Sequence, residues 1–499
     1  MTSFQLRQGQ AAKTRADVVV VGLLQGTDGP EVAPGGEDVA KAWGRTWSSL
    51  LSGLGATGKA GEVHKIPASG SLSASLLVAV GLGRTVDGVS LRRAAGVAAR
   101  SVGSAGSVAV ALPATTAEEV RAVAEGFALG GYRFTAYRSD AGDEAPATVT
   151  VLSPVARRKE TEEALEVARV LASAVSTTRD WVNTPAGDFV PAVFADAVVA
   201  AAAEAGKGRG APKIKVTVHD EKKLAELGCG GILGVGGGSA APPRLVELTW
   251  SPRKAKAHIA LVGKGITYDS GGLSIKPAQG MTEMKCDMSG AAAVVQATIA
   301  IARLGLPVKV SAFAPMAENM LSGTSMRPGD VLTMYGGTTV EALNTDAEGR
   351  LILADALGRA TEVEPDVVLD VATLTGAMQV ALGDRVGGVM GSDDVVAAVV
   401  DAGSRAGEFQ WPMPIPEQMN ERIRSSKIAD LSQTDMVRWG GGLFAAAFLR
   451  EFTGGLPWAH LDIAGPAFHS GREAYGHITP GGTGFAVTTL VEYARSLAG

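Results

Sequence analysis

Three short segments of the 499-residue chain set charged residues among glycines and small apolar residues. They are Val262-Gly-Lys264-Gly-Ile-Thr-Tyr-Asp269-Ser-Gly-Gly-Leu-Ser-Ile-Lys276-Pro, Met284-Lys-Cys-Asp287-Met-Ser-Gly, and Asn344-Thr-Asp346-Ala-Glu348-Gly-Arg350-Leu351. Each falls at the end of an expected strand or the start of an expected helix, where open α/β sheets carry their sites. Bringing Asp269, Asp287, Asp346 and Glu348 together would bury about four negative charges, a cost that folding cannot offset unless cations balance them. Two divalent ions do so, and a metal pair roughly 3.5–4 Å apart is a recurring hydrolytic device for which Mg²⁺, Mn²⁺ and Zn²⁺ suit carboxylate ligands. Simpler roles exist for single residues. Asp346 suits the N-cap of a helix beginning near Leu351, and Lys264 suits a salt bridge to Asp269. The set as a whole is poorly explained by such roles.

The elements that must position these residues alternate in type. Apolar or β-branched runs at Val18–Leu24, Leu76–Leu82, Ser107–Leu112 and Thr148–Leu152 read as strands, and Leu91–Val102 and Ala117–Leu129 carry helical apolar spacing. The Gly/Asp/Pro-rich stretch Gly26–Gly36 reads as a mobile loop. A charged, then amphipathic, segment from Val155 to Arg179 reads as a long linking helix. Beyond the loop Asn183–Pro191, helices are expected at Pro191–Ala205, Gly290–Leu304 and Leu351–Glu362, with strands at Lys213–His219, Leu245–Trp250, His258–Lys264, Val308–Ala314 and Asp366–Val371. The expected fold class is α/β: a small N-terminal α/β domain over 1–160, joined by the helix to a larger α/β domain over 161–499 with a mixed, largely parallel sheet.

Composition narrows the function. With 46% hydrophobic and 19% charged residues the chain is globular. Its 65 glycines imply many tight loops. The 46 basic and 51 acidic residues leave a net charge of −5 with no block of like charge, which disfavours nucleic acid as a partner. Cys229 and Cys286 alone make no disulfide framework and fit a reducing compartment, so the cytoplasm is the default location. No run reaches the roughly 18–20 apolar residues of a membrane helix; Met288–Ala302 comes closest. Lys13, Arg15 and Asp17 precede an apolar run too short for a secretory signal.

Other catalytic patterns fail. Gly236-x-Gly238-x-x-Ala241 fits a loose dinucleotide fingerprint, but Pro242 and Pro243 obstruct the helix it requires. Gly265 stands where Ser or Thr of a phosphate loop would follow Lys264, and no nucleophile elbow is present. The six histidines form no zinc motif, so oxygen must supply most ligands of any metal.

The three segments resemble the signature of the cytosolic leucine aminopeptidase family, two-metal exopeptidases, with Asn344–Leu351 matching its octapeptide N-T-D-A-E-G-R-L without a change. The likeness continues through Arg179-Asp-Trp-Val-Asn183-Thr-Pro185, Gly234-Val-Gly-Gly-Gly-Ser239, Ile428-Ala-Asp-Leu431 and Trp458-Ala-His460-Leu-Asp462-Ile-Ala-Gly465, covering about 179–490. It is weaker before that, chiefly at Glu125-Gly126 and Gly131-Tyr-Arg-Phe134. Trp181 stands where the family usually has Leu, Gly187-Asp188-Phe189 replaces a loop that typically contains Asn, and Pro466-Ala467 follows Gly465 where relatives vary.

The resemblance implies a metal-dependent leucyl aminopeptidase. Asp269 and Glu348 would be shared between two metals (Mn or Zn, alternatively Mg or Co), Lys264 and Asp287 would bind one, and Asp346 the other. Lys264 ligates only as a neutral amine, so the metals must depress its pKa. Lys276 and Arg350 would be catalytic, Lys276 polarising the scissile carbonyl and Arg350 holding a bicarbonate that accepts a proton. Met284, Asn344, Thr373, Leu374, Gly376 and Ala464 would line an apolar pocket for the first side chain. The resemblance further implies peptide substrates with a free α-amine and a homohexamer. The rival readings are a DNA-binding or regulatory member of the family and a catalytically silent binding protein.

Overall fold

The valine runs of the N-terminal third form strands because β-branched residues pack well on a pleated surface buried on both faces. The computed structural model describes residues 2–68, 70–140, 142 and 145–499. It divides into two compact units, Met1–Ser176 with Gly471–Pro480, and Thr177–Ser470 with Gly481–Gly499.

In the first unit the strands lie in the order Ser3–Arg7, Thr148–Leu152, Ser107–Ala111, Val18–Gln25, Leu76–Gly83, Val63–Pro67. All neighbours are parallel except the last pair. The stretch expected as a loop over Gly26–Gly36 contains a short strand, Pro30–Val32, antiparallel to Val18–Gln25 with Leu23 opposite Val32. Its pairing gives backbone polar groups partners that a free loop would leave to water. Helices Gly88–Ser101 and Ala117–Gly130 both open with capping boxes, Asp87 with Ser90 and Thr116 with Glu119. They pack so closely that a Cβ on Gly130 would overlap the Gly96 backbone, and a Cβ on Gly96 would overlap His477 of the returning segment Gly471–Pro480.

The amphipathic segment is one helix, Lys159–Asn183, displaced a few residues toward the C-terminus from the expected Val155–Arg179. The second unit holds a mixed sheet in the order Gln410–Pro412, Gly387–Gly391, Trp458–Asp462, Val367–Ala372, His258–Gly263, Lys309–Asn319, Arg244–Trp250, Ile214–His219. The four strands Trp458–Asp462, Val367–Ala372, His258–Gly263 and Lys309–Asn319 are parallel, and strands near both margins run antiparallel. The apolar run first weighed as a membrane candidate is the core helix Ser289–Arg303, buried from Ser289 to Ala302, which is why it is apolar on every side. Among the described residues no helix is long and apolar enough to cross a membrane.

Candidate active site

Four segments bring the charged residues together, three of them after strands of the large sheet and the octapeptide after strand Thr339–Ala342 of a separate three-stranded sheet. Strand His258–Gly263 delivers Lys264, and strand Gly265–Asp269 then runs beside the end of Lys309–Asn319 and delivers Asp269. A 3-10 helix, Met281–Met288, places Asp287 just before the core helix. The octapeptide forms a 3-10 turn, Thr345–Ala347, followed by helix Gly349–Thr361, so that Asp346, Glu348 and Arg350 project from one helix start. Two glycines make room: a Cβ on Gly349 would overlap the Lys264 side chain, and Gly271, with φ at +86°, would meet Asp346 Oδ1 at 2.9 Å.

Lys264 Nζ lies 2.9 Å from Asp287 Oδ1 and 2.9 Å from Glu348 Oε1. Lys276 Nζ lies 2.8 Å from Asp269 Oδ2 and 2.5 Å from Asp346 Oδ1. The simple pairing of Lys264 with Asp269 is therefore not the one formed, because Lys276 reaches back from its loop to take that carboxylate. Nor does Asp346 cap the helix. Glu348 occupies the N-cap position and makes no side-chain cap bond, its carboxylate being turned to Lys264.

Four carboxylates thus face two ammonium groups, and they do not ionise alike. Burial and the Glu348 charge push Asp269 up to about 6 against the pull of Lys276. Burial holds Asp287 well above the ordinary carboxylate range despite Lys264. Asp346 is also raised, chiefly by burial, whereas Glu348 is held low because Lys264 and Lys276 outweigh its burial. Both lysines keep raised pKa values: burial disfavours their charge, but Asp287 and Glu348 around Lys264, and Asp269 and Glu348 around Lys276, more than compensate. Among the described residues, Asp287 Oδ2 and Glu348 Oε2 are buried without a hydrogen-bond partner. Asp269, Asp346 and Glu348 each offer one oxygen within 4.8 Å of the others, a spacing that one cation spans. The donor set therefore fits divalent ions, which would satisfy the excess negative charge and the orphaned oxygens together.

Arg350 is buried in the first turn of its helix. Nη1 donates to the Gln433 carbonyl at 2.7 Å, the guanidinium carbon lies 5.7 Å from the Phe444 ring centroid, and Nε has no hydrogen-bond partner among the described residues. Burial lowers its pKa to about 10. Among the expected pocket residues, Thr373 donates through Oγ1 to Asp287 Oδ1 at 2.8 Å and accepts from Lys264 Nζ through its carbonyl at 3.0 Å. Leu374 and Ala464 follow neighbouring parallel strands, and Gly376 begins helix Gly376–Leu382. Met284 stands one turn before Asp287, partly exposed. Asn344 Oδ1 accepts from the Asp346 amide at 3.0 Å, so that side chain shapes the octapeptide turn.

Several supporting residues escape motif reading. Asn319 ends its strand and donates through Nδ2 to Asp269 Oδ1 at 2.8 Å and to the Thr345 carbonyl at 3.0 Å. Gln433 accepts from the Asn344 amide at 3.0 Å and donates to the Ala347 carbonyl at 3.0 Å. The available signal was a polar residue closing a long apolar strand, visible for Asn319 but not for Gln433. His460 is fully buried, with Nδ1 2.5 Å from Asp370 Oδ1, while Asp370 Oδ2 accepts from Trp458 Nε1 at 2.6 Å. The unusual Trp181 packs edge-on against Phe194, with Phe189 completing the group, so two of the departures from the family pattern lie side by side.

An α/β sheet whose strand ends gather carboxylates and lysines around a metal-sized space defines a metal-dependent hydrolase. Residues 176–491 match the catalytic domain of the cytosol aminopeptidase family, and residues 18–141 match that family's N-terminal domain. The probable cytosol aminopeptidase of Streptomyces coelicolor is 49% identical over 100% of this chain and 99% of its own. The probable cytosol aminopeptidase of Corynebacterium diphtheriae is 45% identical over 99% of this chain and 97% of its own. The bottromycin maturation enzyme BotP, solved in complex with Mn, superposes with a TM-score of 0.84 at 39% identity, covering 97% of this chain and 100% of BotP. A point mutant of tomato leucine aminopeptidase gives a TM-score of 0.88 at 30% identity, covering 99% and 96%. The chain belongs to the cytosol aminopeptidase family and is a metal-dependent aminopeptidase.

Proposed function

We propose that the enzyme removes leucine-like residues from the N-terminus of peptides whose α-amine is free, using two divalent ions per subunit, Mn or Zn. The observation that carries this reading is the convergence of Asp269, Asp287, Asp346 and Glu348 on only two lysines, with buried carboxylate oxygens left over. Asp269 and Glu348 would be shared between the two ions, Lys264 and Asp287 would complete one site, and Asp346 would complete the other. When bound, such ions supply an acidified water and a Lewis acid for the substrate's α-amine. The chain's own groups do the rest. Lys276, cationic and partly exposed, stabilises negative charge developing on the scissile carbonyl oxygen. Arg350, with Nε uncommitted, offers a planar guanidinium that matches a bicarbonate ion. Lys264 must yield its proton before it can ligate, since its two carboxylate neighbours hold it charged.

Met284, Asn344, Thr373, Leu374, Gly376 and Ala464 line the pocket for the first side chain in this reading, and its apolar members favour Leu and Met over Asp and Glu, whose charge would lose hydration without gaining a partner. The enzyme acts as a homohexamer in the cytoplasm. The test is turnover of a panel of dipeptides, free and N-acetylated, alongside metal content. Free Leu and Met substrates should be cleaved and their acetylated forms spared. Equal turnover of acetyl-Leu and Leu peptides would overturn the reading.

A further inference from the structure

The loops that follow strands Val367–Ala372 and Trp458–Asp462 meet at a single carboxylate. Asp462 ends its strand opposite Ala372 in parallel register and is 1% exposed. Its Oδ1 accepts from the amide of Ala464 at 3.1 Å and of Leu374 at 3.3 Å, and its Oδ2 accepts from Thr375 Oγ1 at 2.7 Å. The Thr375 hydroxyl in turn accepts from the Met378 amide at 3.2 Å and so starts helix Gly376–Leu382. At its other end the same short segment is held to the charged cluster by Thr373, which bonds Asp287 and Lys264. The run Thr373–Thr375 is thus clamped between the cluster and Asp462, and Ala464, on the neighbouring strand end, is fixed by the same oxygen as Leu374.

We propose that Asp462 is a positioning residue that sets side-chain selectivity by holding Leu374 and Ala464 at a fixed distance from the reacting centre. The proposal rests on the reading above that these two residues line the first pocket. A carboxylate is needed because one oxygen accepts from three backbone amides, those of Leu374, Thr375 and Ala464, while the other accepts from a hydroxyl, and an ionised carboxyl is acceptor-only at both. An amide at this position would turn an NH₂ group toward Thr375 Oγ1 and leave the hydroxyl proton without its acceptor. The energetic stake of the buried carboxylate is large, but a residue that only braced the fold would lower the amount of active enzyme equally for every substrate. A residue that places the pocket wall changes the ratio between substrates, since hydrophobic pockets discriminate by contact area.

The test compares the purified, metal-containing parent with Asp462→Asn, Thr375→Val and Thr375→Ser. Metal content is measured for each, with kcat and KM on Leu-Gly and Ala-Gly. In Asp462→Asn and Thr375→Val two metals should remain, and the Leu-over-Ala ratio of kcat/KM should fall by roughly tenfold, mainly through a higher KM for Leu-Gly. Thr375→Ser, which keeps the hydroxyl, should restore the ratio. If Asp462→Asn fails to fold, Thr375→Val carries the test, because it leaves the carboxylate in place. An unchanged ratio in a folded, metal-containing Thr375→Val variant, with both substrates slowed equally, would overturn the proposal, as would loss of metal in that variant. A parent that does not prefer Leu-Gly would instead overturn the pocket reading beneath it.

Discussion

Asn319 donates through Nδ2 to Asp269 Oδ1 at 2.8 Å, tying the last residue of a core strand to a buried carboxylate of the cluster. With Oδ1 held by this amide and by the Gly271 N–H, Oδ2 is the oxygen that Asp269 turns to Lys276. Outer partners of this kind orient ligands, and their removal typically weakens metal binding about 10–100-fold. Asn319→Ala should show that loss in metal titration by calorimetry while the chain stays folded. Wild-type affinity would show that Asp269 needs no such support.

Ligands and catalytic helpers should separate. Replacing Asp269 or Glu348 by Ala should abolish metal content and activity together, because each would leave excess positive charge and an open coordination position. Lys276→Ala should keep both metals while the rate falls on the order of 10²–10³-fold. Arg350→Ala should lose a stimulation by added bicarbonate that the parent shows. Elemental analysis beside steady-state rates checks the contrast, and equal metal loss in Lys276→Ala would refute it.

Lys264 is the buried countercharge of Asp287 and Glu348 when chelators have stripped the protein. Lys264→Met leaves those carboxylates uncompensated, so the stripped variant should be less stable than the stripped parent by about 3–5 kcal/mol. Added Mn²⁺ should recover part of that difference, since a bound cation replaces the lost charge. Denaturant unfolding with and without Mn²⁺ measures both quantities; no difference between the stripped proteins would contradict the assignment.

Asp355, fully buried on helix Gly349–Thr361, has its carboxyl pushed up to about 7 by burial, against the hydrogen bonds it accepts from the Tyr335, Ile232 and Gly231 amides. Its folded pKa lies above the unfolded value, so the native state holds the proton more tightly. The contribution to stability is complete below about pH 4 and is lost as pH rises through about 7. Asp355→Asn should therefore have lower stability in mild acid, where one amide loses its acceptor, and a shallower decline between about pH 4 and pH 7. Parallel slopes for parent and variant across that range would exclude this role.

What could be read from sequence was whatever repeats a local rule. Helix Pro191–Ala205 and strand Thr148–Leu152 lie where periodicity puts them, because proline at a helix start and alternating or continuous apolar runs act within a few residues. Lys264, Asp269, Asp287, Asp346 and Glu348 do meet, and the reason, unbalanced charge among glycines, was visible in each segment. The partner of each lysine was not, since it depends on how the loop from Ser270 to Pro277 folds back over Asp269. Gln433 and Asp462 were illegible as supports because their hydrogen bonds join segments more than eighty residues apart. Strand Pro30–Val32 was hidden by the turn-forming residues around it, which its pairing with Val18–Gln25 overrides.

The return of Gly471–Pro480 to the first unit has a consequence for the order of synthesis. The strands of that unit precede the catalytic sheet in the chain, yet the backbone that lies against Gly96 follows it. Until then the glycine-lined face of helix Gly88–Ser101 is open, and the nascent N-terminal unit must wait, incompletely covered, for a segment made after the whole catalytic sheet. Fragments cut at Ser176 inherit that exposed face permanently, so insoluble expression of the isolated N-terminal unit, relieved by supplying residues 471–480, is the behaviour this topology dictates.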